Sequence, residues 1–204
     1  MDFTFLSKKK IKIYIFYGSQ TGYTESVAKY VYEKIKTIIK PIFLEISILN
    51  NLFTYDIQKE DFVIILLSTT GDGEFPDNAI DIYKHLRKFK GSLENITYSL
   101  VGFGDSNYKS YCHSSKILER RLKRFKATRF MPTIFNDDAI DGTDTINKWI
   151  DDIIDYLKIK IKENISCIQL YQKKFKDRHE IKTKLITQNY ECINLPYKKN
   201  YGIK

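Results

Sequence analysis

Three short segments gather Gly, Ser, Thr, Asn and Asp in patterns that can do chemistry. The first is Ser19-Gln20-Thr21-Gly22-Tyr23-Thr24. Ser19, Thr21 and Thr24 supply hydroxyls, and a helix starting here adds backbone N–H groups and the positive end of its dipole. That donor set suits a phosphate dianion. The segment has no Lys, so it is not the triphosphate loop, which needs Gly-Lys-Ser/Thr to reach terminal phosphates and place magnesium. It also lacks the G-x-G-x-x-G spacing of a pyrophosphate binder. A single phosphate held by neutral donors is the better fit. A Ser/Thr-rich helix cap with no ligand is the plain structural alternative.

The second segment is Ser68-Thr69-Thr70-Gly71-Asp72-Gly73-Glu74-Phe75-Pro76-Asp77-Asn78. Its glycines permit positive φ or close backbone approach. The third, Gly102-Phe103-Gly104-Asp105-Ser106-Asn107-Tyr108, ends in an aromatic that can cover a planar ring. Either alone is an ordinary strand-to-helix connection; all three in this order are far more specific. Carboxylates flank them: Asp72, Glu74, Asp77 and Asp81 on one side, Asp137, Asp138, Asp141 and Asp144 on the other. These read equally as an acidic rim that steers a basic partner or as carboxylates favoured at helix N-termini.

Other constellations fail. Asp137 to Gly142 begins like a calcium loop, but Ala139 takes the third ligand position and Lys148 the twelfth, where Glu is needed. His85, His113 and His179 have no ligand spacing, and no Cys-x-x-Cys exists, which disfavours zinc. Cys112 reads as a small packing residue. Lys116, Arg120, Arg121, Lys123, Arg124 and Lys126 read as a solvated helix face, because no aromatic platform is interleaved for nucleic acid.

The elements that must position the loops follow from periodicity. Lys12 to Tyr17, Phe43 to Ile48, Phe62 to Leu67, Ile96 to Gly102 and Thr128 to Phe135 read as strands, the last broken late by Pro132. Helices alternate with them: Thr24 to Lys40, Asp77 to Phe89 (capped by Asp77 or Asn78), Ser114 to Phe125, and Thr143 to Lys160. Strands alternating with helices make a doubly wound parallel sheet, whose ligands bind at the carboxyl ends of the strands.

Composition bounds the rest. The 204 residues are 43% hydrophobic and carry three Cys, so a packed domain in a reducing compartment is the expectation, and a disulfide scaffold is excluded. No apolar run nears the ~20 residues that span a bilayer, and no signal peptide precedes the first strand. The net charge is +9, but residues 1–155 hold 22 basic and 21 acidic residues and residues 156–204 hold 12 and 4. The basicity therefore belongs to the tail, and a nucleic-acid reader, which needs a basic folded face, is disfavoured.

Residues 12 to about 157 resemble the FMN module of the NADPH-dependent diflavin reductases, the group of cytochrome P450 reductase, methionine synthase reductase and the cytosolic diflavin reductases. The likeness rests on Ser19-Gln20-Thr21-Gly22, on Ser68 to Gly73 with Pro76-Asp77-Asn78, on Gly102 to Tyr108 followed by Lys116 to Leu122, and on Asp137-Asp138. It implies a flavodoxin-like sheet of five parallel strands in the order 2-1-3-4-5 with helices on both faces. Ser19, Gln20, Thr21, Gly22, Tyr23 and Thr24 would bind the FMN phosphate. Ser68, Thr69, Thr70 and Gly71, with Asp72 and Gly73 behind them, would line one side of the isoalloxazine. Gly71 would stand beside its reactive N5. Phe103, Gly104, Asp105, Ser106, Asn107, Tyr108 and Cys112 would line the other, with Tyr108 stacked on the ring. Asp138 would sit near the flavin edge or ribityl chain.

Three departures stand out: Thr70 replaces a second stacking aromatic of the P450 reductases, Cys112 a common Asn, and Tyr23 a smaller phosphate-loop residue. The expected organisation is an FMN domain over 1–160 and a basic linker or the start of a missing FAD/NADPH domain over 161–204, with Lys182 to Leu195 as a strand. The expected function is single-electron transfer in the cytoplasm, from an FAD/NADPH module to a basic-faced haem, cobalamin or iron–sulfur protein, with no membrane anchor and no nucleic-acid partner. The alternatives are an autonomous flavodoxin and a non-catalytic interaction domain that has lost FMN.

Overall fold

The apolar run at 62–67 becomes the centre of a parallel sheet. In the computed structural model, which describes residues 11–39, 43–140 and 142–163, Phe62–Ser68 (β3) lies between Lys12–Gly18 (β1) and Thr97–Gly104 (β4). Residues 62 to 67 of β3 are all buried, as a strand covered on both faces requires. Alternation sorts their side chains. Val63, Ile65 and Leu67 join one core, and Phe62, Ile64 and Leu66 the other. Phe43–Ile48 (β2) adds to the far side of β1, giving the order β2-β1-β3-β4-β5 with every pair parallel.

Helices cover both faces. Ala28, Val31 and Ile35 of Tyr23–Ile39 (α1) share a core with Trp149, Ile150, Ile153 and Ile154 of a helix over 143–163 (α4). Ile82 and Leu86 of Ile80–Lys88 (α2), Leu118 and Leu122 of His113–Arg124 (α3), and the 3₁₀ turn Leu49–Thr54 fill the other. The doubly wound, flavodoxin-like order is borne out.

Two expectations need correction. The strand read over Thr128 to Phe135 is two pieces, Thr128–Arg129 (β5) and Ile134–Asp137 (β6). Both lie parallel to β4, the first against Thr97 and Tyr98, the second against Val101 to Gly104. The gap holds Pro132, which has no N–H for a ladder. Glu119 of α3 staples the gap, accepting hydrogen bonds from Thr133 Oγ1 at 2.6 Å and Arg129 Nη1 at 2.7 Å.

Helix α2 starts at Ile80, not at Asp77, and its flanking Ala79 gives no side-chain cap. Asn50 supplies the cap from the 3₁₀ turn: its Oδ1 accepts the N–H of Asp81 at 2.9 Å and of Ile82 at 3.3 Å. Asp77 and Asn78 are engaged elsewhere. No helix among the described residues is long and apolar enough to cross a membrane. The chain divides into two units after Ile159, and the sheet and both cores belong to the first. The strand expected over Lys182 to Leu195 lies outside the described residues.

Candidate functional site

The three polar loops leave the carboxyl ends of β1, β3 and β4, which parallel order places along one edge of the sheet. They enclose a cavity of about 440 Å³. Gln20, Thr21, Tyr23 and Thr24 line it from the first loop, Ser68 to Gly71 from the second, and Phe103, Gly104, Asp105, Tyr108 and Cys112 from the third, with Asp138 on one side. The size lies within the range of small-molecule and cofactor pockets.

The first loop is shaped by its own ends. A Cβ on Gly18 would stand 2.5 Å from Leu67 Cδ1 and 2.7 Å from Ala79 Cβ, so only glycine lets β1 finish this close to its neighbours. Ser19 Oγ accepts the Gly22 N–H at 3.1 Å, and Gly22 turns the chain at φ +93°. Ser19 and Gly22 thus form the loop rather than its cavity wall. Thr24 sits in the first turn of α1, is 1% exposed and lines the cavity. A threonine hydroxyl there can donate to a ligand. The first-turn N–H groups of α1 point the same way.

The second loop folds back on itself. Thr70 and Glu74 exchange backbone hydrogen bonds at 3.0 and 2.8 Å, with Gly71 at φ +51° and Gly73 at φ +116°. The Glu74 carboxylate occupies the place a Gly71 Cβ would take and accepts the Asp72 N–H at 3.0 Å. Asp72 and Gly73 therefore build the turn, while Thr70 and Gly71 face the cavity. Thr69 lines the cavity, but its hydroxyl lies 2.8 Å from Ser114 Oγ and also accepts the Ser114 N–H at 3.3 Å. Helix α3 has no side-chain cap of its own, and Thr69 caps it from the next strand. The fully buried hydroxyls of Ser114 and Ser115 donate to Ser68 O and Leu67 O at 2.8 and 2.9 Å.

The third loop supplies the aromatic wall. Phe103 is buried, and Tyr23 packs edge-on against it with ring centroids 5.9 Å apart. Tyr108 stands at the mouth, 67% exposed. Ser106 and Asn107 do not line the cavity; their N–H groups donate to Asp137 Oδ1 at 2.9 Å and Asp105 Oδ1 at 2.8 Å. Cys112 takes a left-handed φ of 51°, is fully buried, and burial pushes its thiol up to about 12. It is a packing residue that happens to touch the cavity. Ser110 and Tyr111 line the wall too. Both fall inside the 103–112 stretch, where a single wall was legible but not which alternate residues face inward.

Electrostatics divide the cavity. Among the described residues, no Lys or Arg lines it. Burial, then the Asp105 and Asp137 carboxylates, raise the Asp138 carboxyl above its ordinary range against a hydrogen bond from Asn136. Asp137 goes the other way, held low by its hydrogen bond from Ser106. Of the carboxylates read as a possible rim, Asp77 accepts from Gln20 Nε2 at 3.0 Å and Asp81 pairs with Lys84 at 3.1 Å. Part of that rim is structural.

FMN fits this arrangement. The Thr24 hydroxyl and the N-terminus of α1 offer neutral donors for a phosphate at one end. Thr70, Gly71 and Tyr108 flank the space for a planar ring at the other, and among the described lining residues there is no lysine to hold a second phosphate. When bound, FMN supplies one- and two-electron transfer.

Known proteins share this pattern. The sequence signature of the flavodoxin family matches residues 15–149. The mitochondrial NADP(+) pyruvate dehydrogenase of Euglena gracilis is 33% identical over 153 residues, 73% of this chain and 8% of that protein. The NADPH sulfite reductase flavoprotein alpha-component of Vibrio parahaemolyticus is 31% identical over 156 residues, 76% of this chain and 24% of that protein. The counterpart from Mannheimia succiniciproducens is 28% identical over 161 residues, 78% of this chain and 26% of it. The chain thus spans about a quarter or less of the length of these relatives. Among solved structures, a flavodoxin variant from Pseudomonas aeruginosa shares the fold with a TM-score of 0.59 at 22% identity, over 72% of this chain and 99% of that one.

Proposed function

The chain belongs to the flavodoxin family, whose cofactor is FMN, and we propose that it is an electron-transfer module of the diflavin reductase type. It takes electrons from an FAD/NADPH module, in the same polypeptide or a separate one, and passes them singly to a haem, cobalamin or iron–sulfur protein with a basic docking face. The observation that carries this reading is the convergence of three separately encoded loops on one cavity, phosphate donors at one end and an exposed aromatic at the other. Likeness to sulfite reductase flavoproteins supports the diflavin assignment over an unrelated flavodoxin-fold enzyme.

The protein's own groups do three things. The α1 N-terminus and Thr24 anchor the phosphate, and Thr21 lies beside them. Gly71, on the cavity wall at a positive φ, brings its peptide against the ring edge. Tyr108 covers the ring while leaving its outer edge open to a partner. On this reading residues 1–160 are the FMN domain, 161–204 lead toward a reductase module, and the setting is cytoplasmic, consistent with a thiol kept reduced at Cys112. A second reading, an autonomous carrier, is favoured by one observation: the shared fold takes in 99% of a solved flavodoxin chain and 72% of this one.

The test is transfer itself. FMN-loaded chain, an NADPH-dependent FAD reductase and cytochrome c are mixed, and haem reduction is followed at fixed reductase. The reading predicts a rate that rises in proportion to added chain. A rate that ignores the chain, with FMN demonstrably bound, contradicts it.

A further inference from the structure

The loop after β1 is bolted to a segment that never reaches the cavity. Gln20 bonds twice to Asp77: Nε2 donates to Asp77 Oδ2 at 3.0 Å, and Oε1 accepts the Asp77 N–H at 3.0 Å. Beside this pair, Asn78 Oδ1 accepts the Ser19 N–H at 2.9 Å. Neither Asp77 nor Asn78 lines the cavity, and neither caps α2, the role their position suggested. Asn50 holds both from behind, its Nδ2 donating to Asp77 O at 3.1 Å and its N–H to Asn78 O at 3.0 Å.

We propose that Asp77 and Asn78 are positioning residues for phosphate recognition, fixing the Ser19–Thr24 loop in its binding shape through Gln20 and Ser19. The chemistry of the loop explains why such a clamp is needed. With no lysine among the described residues of the cavity wall, a dianion is held by N–H and O–H donors that must converge on one point. Donors that have to be ordered on binding lose affinity to that ordering, and a loop fixed in advance does not. The clamp also spends groups that would otherwise count as ligands. The Ser19 N–H, the Gln20 Oε1 and one Nε2 hydrogen are occupied, leaving the other Nε2 hydrogen, the backbone of Gln20 and Thr21 and the hydroxyls of Thr21 and Thr24 for the phosphate.

The inference rests on FMN as the ligand, and riboflavin separates the two ideas, since it carries the same ring without the phosphate. Dissociation constants for FMN and riboflavin are measured for the wild-type chain, Asp77→Ala, Asp77→Asn, Asn78→Ala, Gln20→Ala and the Asp77→Ala/Gln20→Ala pair. The clamp predicts FMN binding weakened about five- to tenfold in Asp77→Ala and Asn78→Ala, the worth of one hydrogen bond, with riboflavin unchanged. Asp77→Asn keeps an acceptor for Gln20 Nε2 and restores FMN binding. The double variant binds FMN no worse than Gln20→Ala alone, because both bonds to the Gln20 side chain are already gone. Should Asp77→Ala fail to fold, Gln20→Ala removes the same pair from an exposed loop and gives the same comparison. FMN and riboflavin weakening together, or FMN binding unmoved in every variant, overturns the clamp while leaving the cofactor reading intact. A wild-type chain that binds neither flavin overturns the cofactor reading and the clamp with it.

Discussion

At the scale of single residues, Thr24 says most about the ligand. It is 1% exposed, lines the cavity and opens α1. Thr24→Val keeps the shape and removes the hydroxyl, so FMN affinity should fall about tenfold with riboflavin affinity unchanged, measured by flavin fluorescence. An unchanged FMN affinity would take Thr24 out of the site. Asp138 makes a prediction about pH. Its folded carboxyl binds a proton more tightly than the ordinary value of 3.8, so the native state loses stability as pH rises through that value and carries the full cost above the raised one. Asp138→Asn should therefore melt higher than wild type at pH 7, with the gap closing below about pH 4. A variant that melts lower at pH 7 contradicts this. Cys112, buried with its thiol pushed up to about 12, should resist alkylation in the native protein at pH 8 and react only on unfolding.

At the scale of elements, helices α2 and α3 are capped from outside themselves. Asn50 caps α2 and Thr69 caps α3. Asn50→Ala should cost about 1–2 kcal/mol in a urea titration, the worth of a helix cap; a cost near zero would mean that water replaces it. These links also mark where sequence reading stopped. The strands were legible because β1, β3 and β4 are buried on both faces and are rich in apolar residues, β3 as an apolar run from Phe62 to Leu67. The loops were legible because Gly, Ser and Thr cluster where those runs end. The caps were not, since Asn50 acts on Asp81 from across the fold and no local pattern encodes that contact. Asp77 and Asn78 had the composition of a cap and lost that role to Asn50. The split of the edge strand was half visible: Pro132 signalled a break, but not that the chain would rejoin β4 as β6. Within the site, residue type identified the loops but not which members face inward. Ser19, Asp72, Ser106 and Asn107 carry the right chemistry and use it to hold the loops in shape.

At the scale of the whole molecule, charge is distributed along the strand direction. Asp105, Asp137 and Asp138 gather at the cavity edge, while Arg87 and Lys88 close α2 and Lys123 and Arg124 close α3 at the other ends of those helices. An acidic edge around an electron-transfer site steers a basic partner, and salt screens that steering beyond about 8–10 Å. Cytochrome c reduction by the FMN-loaded chain should slow as ionic strength rises from 10 to 200 mM in a salt series, about the range over which exposed charges lose their reach. A rate that climbs with salt would place the docking face elsewhere. All of this depends on three loops, drawn from three strands, making a single flavin site. The direct measurement is a titration of apo-protein with FMN, following the quenching of flavin fluorescence. We predict saturable binding of one FMN per chain, weakened by Tyr108→Ala. Chain that stays colourless and leaves FMN fluorescence untouched at every concentration would contradict the account.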